Sequence, residues 1–219
     1  MHVAVIGGSA ALDPLDLARY GPVIPVVVIE AAADAVPMAR ALFEGGIRVV
    51  EVTLRTPSAI AAIAAIAQAL PEVIVGAGTV RSGADARAAL AAGAHFAVSP
   101  GFSPQVAAAC RDLGLALLPG VATASEVMQA AEEGFRFLKF FPASSAGGTA
   151  MLKAWASVFA DVSFCPTGGI TAASAPDYLA LANVRVVGGS WLTPPDALAA
   201  ADWPRIERLA REATRLAPN

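Results

Sequence analysis

A (β/α)8 barrel of the TIM type, an α/β fold, is what this chain predicts, and three observations carry the prediction. Short apolar runs alternate eight times with alanine-rich helical runs in units of similar length. A length of 219 residues suits one barrel with short loops. No complete G-x-G-x-x-G opens the chain, only Gly7-Gly8 after an apolar run, which weighs against the rival doubly wound open sheet. Residues 1–13 read as an N-terminal extension and residues 14–219 as a single barrel domain.

The elements follow in order. A buried strand spans 23–29, and a helix over 34–44 stops at Gly45-Gly46. The second strand spans 47–54. Thr56-Pro57 opens a helix that places Ile60, Ile63, Ala67 and Leu70 on one face. The third strand spans 73–77, before a helix over 84–92 stopped by Gly93. The fourth spans 95–99, before a helix over 104–113 stopped by Gly114. The fifth spans 115–118, with a helix over 125–133 stopped by Gly134. The sixth spans 135–141 and leads to a helix over 148–159. The seventh spans 162–166, then a helix over 173–182. The eighth spans 184–187, and a helix over 203–216 ends the chain.

Composition excludes several classes of function. Hydrophobic residues make up 56% and charged ones 15%, enough for a large core and too apolar for disorder. A net charge of -3 and a pI near 5.4 give no basic field for nucleic acid. No apolar run is long enough to span a bilayer. The N-terminus lacks the basic and apolar regions of a signal peptide. Cys110 and Cys165 show no metal or redox spacing, which suits a reducing cytoplasm. His2 and His95 lie far apart, and no residue cluster has metal-ligand spacing, so no metal is expected.

The chemistry starts at Lys139. The chain has only two lysines, Lys139 and Lys153, and Lys139 sits between Leu138 and Phe140 in an aromatic strand. Lysine is rarely buried unless it is paired or used. Burial disfavours the ammonium form, and a neutral amine in an apolar pocket attacks ketones to form a Schiff base. The plain alternative is a strand-end lysine that snorkels to water. Strand parity groups Phe137, Lys139 and Phe141 on one face. In the second strand it groups Val49, Glu51, Thr53 and Arg55, which are then expected to point inward. An inward Glu51 and Arg55 are costly unless paired with each other or functional. Active sites of such barrels lie at the C-terminal strand ends. There Thr79 and Thr167 offer hydroxyls, although each could belong to an ordinary turn. Gly168-Gly169 after the seventh strand and Gly189-Ser190 after the eighth fall where barrels cradle phosphate on backbone N–H groups.

At these residues the sequence resembles the 2-keto-3-deoxy-6-phosphogluconate (KDPG) aldolases, which include the bifunctional 4-hydroxy-2-oxoglutarate (KHG) aldolases. The matching stretches begin at Pro22-Val23-Ile24-Pro25-Val26. They continue through Glu51-Val52-Thr53-Leu54-Arg55-Thr56, Gly76-Ala77-Gly78-Thr79-Val80, Ser99-Pro100-Gly101 and Leu118-Pro119-Gly120-Val121. They end with Lys139-Phe140-Phe141-Pro142-Ala143, Cys165-Pro166-Thr167-Gly168-Gly169-Ile170 and Gly188-Gly189-Ser190-Trp191. They occur in family order from about Leu15 to the C-terminus.

The resemblance implies a class I aldolase, a homotrimer working without cofactor or metal in the Entner-Doudoroff pathway. Its substrates would be KDPG, cleaved to pyruvate and glyceraldehyde 3-phosphate, and the shorter KHG. It implies that Lys139 forms the Schiff base and Glu51 acts as acid and base. Arg55 and Thr79 would hold the pyruvyl carboxylate, and Pro100, Phe141 and Thr167 would line the pocket. Gly168, Gly169, Gly189 and Ser190 would take the phosphate. One departure stands out: Ser144-Ser145-Ala146 replaces a more usual Glu-Ala-Asn-like stretch, and no role is expected there. Three alternatives stay open. One is an aldolase for another 2-keto-3-deoxy sugar acid, such as the 6-phosphogalactonate epimer. Another is an isomerase or epimerase with Glu51 as base and Lys139 as a mere cation. The third is a catalytically inert binding barrel.

Overall fold

A computed structural model describes residues 12–216. Apart from Leu12 and Asp13, the expected N-terminal extension lies outside the described residues. Nine parallel strands form two hydrogen-bonded arcs. They are β1 (Val23–Val27), β2 (Val49–Thr53), β3 (Ile74–Gly78), β4 (Phe96–Val98), β5 (Ala116–Leu118), β6 (Gly120–Val121), β7 (Phe137–Phe140), β8 (Ser163–Pro166) and β9 (Val187–Gly189). The first arc runs β5-β4-β3-β2-β1-β9 and the second β6-β7-β8. β5 is the expected fifth strand, and a further short strand, β6, follows it beyond Pro119, whose ring removes a ladder donor and interrupts the pairing. β5 pairs with β4 and β6 with β7, so this segment still joins its two neighbours. Bridges at Phe164↔Val184 and Thr167↔Gly188 join β8 to the β9 side and close the ring. The eighth strand begins three residues later than its apolar run suggests, at Val187 instead of Val184.

The helices are α1 (Ala35–Glu44), α2 (Ala59–Ala69), α3 (Gly83–Ala91), α4 (Pro104–Leu113), α5 (Ala124–Glu132), α6 (Gly148–Val158), α7 (Ala175–Leu179), α8 (Pro195–Ala199) and α9 (Trp203–Ala213). Local chemistry sets their starts. Ser82, Ser103 and Asp202 cap α3, α4 and α9 by accepting backbone N–H bonds. Thr123 and Glu126 make a reciprocal capping box on α5. α2 begins later than Thr56-Pro57 suggests. Thr56 and Ser58 donate instead to the carbonyls of Ile29 (2.5 Å) and Glu30 (2.8 Å), tying the β2–α2 loop to the β1–α1 loop. α9 packs on α1 so closely that a β-carbon at Gly45 would overlap Ala210.

The outward faces of the strands meet the helices in one large core. On that face Trp155 of α6 packs edge-on against Phe140 (5.2 Å between centroids) and tilted against Phe164 (5.4 Å). A second, smaller cluster fills the barrel interior and includes Ile24, Val49, Ile74, Phe96 and Phe137. Leu17 completes it from a 3-10 helix over Pro14–Tyr20, whose first turn Asp13 caps. This short helix stops the barrel at its N-terminal end. The polar chemistry is thereby confined to the opposite rim.

Candidate active site

Glu51 and Lys139 face each other across the barrel. Glu51 stands mid-strand in β2, opposite Val26 and Gly76 in the neighbouring strands. Lys139 stands in β7, opposite Gly120 and Cys165. Their partner faces carry Val50, Val52, Leu138 and Phe140 into the outer core. That burial turns the polar residues inward by simple alternation. Lys139 Nζ donates to Glu51 Oε1 at 3.0 Å, with only 4% and 3% of the two residues exposed. Removing one partner of such a pair strands the other charge, at a cost of about 3–5 kcal/mol. Lysine at this position is therefore paired, and it does not snorkel to water.

Arg55 departs from the inward placement expected of it. β2 ends at Thr53, so Arg55 lies beyond the strand and is exposed at the rim. Its guanidinium forms no salt bridge among the described residues, and the partner of Glu51 is Lys139, so the alternative of a Glu51–Arg55 pair does not hold. Thr53 does remain inside, donating to Val27 O at 2.9 Å. Arg55 and Ser190 border a cavity of about 450 Å3 that also touches Val26, Glu30 and Met38. Lys139 and Glu51 are not among its lining residues; Val26, the register partner of Glu51, is its nearest link to them.

Small residues make the room. A β-carbon on Gly78 would overlap the Glu51 carboxylate, and one on Gly76 would enter the Phe96 ring. A β-carbon on Gly188 would overlap the Thr167 hydroxyl. Neither Gly78 nor Gly188 has the left-handed backbone that would itself favour glycine. Their value here is the missing side chain. Sequence reasoning passed over Gly78. Its signal was parity: a large inward carboxylate on β2 demands a gap on β3, and Gly76-Ala77-Gly78 supplies gaps at alternate positions.

Cys165 lies between Lys139 and Thr167 and is buried. Burial pushes its thiol up to about 12, although the nearby Lys139 ammonium pulls the other way. The thiol stays protonated beside the amine and is therefore a poor nucleophile. Thr167 is buried, with its hydroxyl donating to Cys165 O at 3.3 Å. Phe141 sets its ring 5.3 Å from Lys139 Nζ. Pro100 reaches the same row, since a β-carbon on Gly120 would meet its carbonyl at 2.5 Å. Thr79 carries φ 61 at the end of β3, a left-handed backbone unusual for a β-branched residue. Strain of this kind persists only where the surroundings enforce it, and it clusters at ligand sites.

The two glycine turns lie on the same rim. Gly168 and Gly169 have φ 100 and 74. Among the described residues no backbone carbonyl accepts from the N–H groups of Gly168, Gly169 and Ile170, nor from those of Ser190 and Trp191. Successive free N–H groups in such turns form an anion nest. The Ser144 side chain, for which no role was expected, stands against Gly169. Among the described residues no group of three or more His, Cys, Asp or Glu could hold a metal ion, and no helix is long and apolar enough to cross a membrane.

A buried amine on a carboxylate, an exposed arginine at the rim and two glycine turns with free N–H groups among the described residues fit the aldolase resemblance, and comparison with known proteins agrees. The model of the family "Aldolase: KDPG and KHG aldolase" matches residues 16–209. The KHG/KDPG aldolase of Escherichia coli K12 is 51% identical over 193 residues, covering 88% of this chain and 91% of that protein. The 2-dehydro-3-deoxy-phosphogluconate aldolase of Pseudoalteromonas atlantica is 48% identical over 198 residues, covering 90% and 92%. A crystal structure of KDPG aldolase from Legionella pneumophila, with pyruvate captured as a covalent carbinolamine, superposes with a TM-score of 0.91 at 45% identity, covering 93% of this chain and 98% of that one. With the family model matching nearly the whole barrel and a relative 51% identical over most of its length, the chain belongs to the KDPG and KHG aldolase family.

Proposed function

We infer that the chain is a Schiff-base aldolase that cleaves KDPG to pyruvate and glyceraldehyde 3-phosphate, and KHG to pyruvate and glyoxylate. The observation that carries this reading is the buried contact of Lys139 Nζ with Glu51 Oε1 at 3.0 Å. Along that hydrogen bond a proton passes to the carboxylate, which frees the amine for attack on the C2 ketone. Glu51 returns that proton to the departing hydroxyl, so the carbinolamine loses water to give an iminium and Glu51 is again a carboxylate. Glu51 takes the proton of the C4 hydroxyl, directly or through water, and the C3–C4 electron pair flows into the iminium. The aldehyde leaves, and an enamine remains on Lys139. Protonation at C3 restores the iminium, and water releases pyruvate and the free amine.

The remaining roles are our assignments. Arg55 can grip the keto-acid carboxylate through two parallel hydrogen bonds, helped by Thr79, and hold C2 near the amine. Its exposed guanidinium, unpaired with any described carboxylate, supports that role. Pro100, Phe141 and Thr167 shape the pocket around the amine. Gly168, Gly169, Gly189 and Ser190 take the terminal phosphate, supported by the free N–H groups of these turns. The two unpaired buried cysteines fit a cytoplasmic setting. We read the working assembly as a homotrimer, following the family resemblance.

The test is reductive trapping. Pyruvate with borohydride is expected to fix one adduct, on Lys139, mapped by peptide mass spectrometry. Lys139→Ala is expected to abolish both trapping and cleavage while the fold persists. An adduct on Lys153, or none, would overturn the mechanism.

A further inference from the structure

The loop after β7 continues the pairing with β8 beyond both strand ends. Ala143 N donates to Thr167 O at 2.8 Å, and Ser144 N donates to Gly168 O at 3.1 Å. This register sets the Ser144 side chain over Gly169. A β-carbon built on Gly169 would overlap Ser144 Oγ and approach its Cβ to 2.8 Å, with no further neighbour within 4 Å. Among the described residues other than its chain neighbours, Ser144 is the side chain that stands against Gly169, as Phe141 stands against Gly168, and Ser144 is exposed. Its hydroxyl makes no hydrogen bond to another described residue, while its near neighbour Thr167 has two partners within reach.

We propose that Ser144 is a substrate-binding residue that donates its hydroxyl to the terminal phosphate held over Gly168 and Gly169. It thereby sets how strongly phosphorylated keto acids are preferred to unphosphorylated ones. This rests on the phosphate reading of the glycine turns given above. The turn offers the backbone N–H groups of Gly168, Gly169 and Ile170 and no charged side chain. A phosphate dianion carries three terminal oxygens, each of which accepts hydrogen bonds. Backbone donors beneath it leave its upper oxygens to water or to a side chain. A serine hydroxyl rotates freely, brings no charge to be desolvated and has no competing acceptor here. A carboxylate at the same position would stand against the anion. The departure at Ser144-Ser145-Ala146 therefore falls at a point where one side chain tunes anion affinity.

The test compares specificity constants for KDPG and KHG in the wild type, Ser144→Ala, Ser144→Thr and Ser144→Asp, with Ser145→Ala as neighbour control. Inhibition of KHG cleavage by inorganic phosphate is measured alongside. A hydrogen bond to a charged partner predicts that Ser144→Ala lowers kcat/KM about tenfold more for KDPG than for KHG. Inorganic phosphate should weaken as an inhibitor by a similar factor. Ser144→Thr should recover most of the loss, and Ser144→Asp should deepen it. Equal effects on both substrates, or none, in an enzyme that still prefers KDPG would overturn the role of Ser144 and leave the nest intact. A wild type with no preference for KDPG and no inhibition by phosphate would overturn the nest and the proposal together.

Discussion

Glu51 extends its carboxylate into the gap where Gly78 lacks a side chain. Since Gly78 has no left-handed backbone, alanine fits its backbone conformation, and the three atoms its methyl would meet first all belong to Glu51. Gly78→Ala is therefore expected to displace the carboxylate from Lys139 while keeping the barrel. Cleavage should slow by about 10²–10⁴, the scale of a mispositioned acid/base. Trapping of pyruvate by borohydride should remain measurable. Turnover close to that of the wild type would show that Glu51 has another way to reach the amine.

Glu51→Gln tests the proton step itself. The amide keeps the shape of the carboxylate but cannot take a proton. Schiff-base formation is expected to persist, with C–C cleavage slower by roughly 10²–10⁴. Exchange of solvent deuterium into the pyruvate methyl group reads the enamine protonation without any aldehyde. Near-normal exchange in the variant would assign the acid/base role elsewhere.

Gly169→Ala places a methyl group against Ser144 Oγ at a residue with φ 74. The turn must shift, and its N–H groups lose their common focus. KDPG cleavage is expected to fall in kcat as well as in kcat/KM, because phosphate binding far from C2 positions the whole chain. Pyruvate trapping, which needs no phosphate, should change least. Equal loss of all activities would mean that the glycines merely turn the chain.

The two thiols predict an alkaline weakness. Burial raises Cys110 to about 11 and Cys165 to about 12, from an ordinary 9.0. Unfolded chains release these protons near pH 9 and the folded chain does not. Stability is thus unaffected below pH 9 and falls as pH climbs toward the folded values. The contribution at pH 10 is on the order of 1 kcal/mol per thiol. Urea midpoints at pH 8 and pH 10 should drop further in the wild type than in the double variant Cys110→Ala, Cys165→Ala. An equal drop in both would remove the thiols as the cause.

Legibility varied with the range of the interaction. Alternating apolar runs exposed the barrel because each unit encodes its own strand and helix locally. Parity turned Glu51 and Lys139 inward for the same reason. The partner of Glu51 was less legible. Arg55 is four residues away and Lys139 is 88 away in sequence, and only barrel closure decides between them. The short helix over Pro14–Tyr20 did carry a signal, since Asp13-Pro14 is an N-cap followed by proline at the first helical position. Leu17 alone gave no hint that it would plug the barrel. Ser144 was overlooked because its neighbour Gly169 lies in the turn after β8, far on in the sequence.

Pro119 has one more consequence. It separates two hydrogen-bonded arcs, with Glu51 in the arc of six strands and Lys139 in the arc of three. β7, which carries Lys139, stands beside the seam, where Lys139 N donates to Pro119 O at 2.8 Å. The ion pair of Lys139 and Glu51 is thus a rivet between two shells and, in the proposed mechanism, a reacting pair. On that mechanism each turnover draws the rivet, when Nζ leaves the carboxylate for C2. Chemistry and cohesion share one bond, so any variant that silences the lysine also loosens the vessel that holds it.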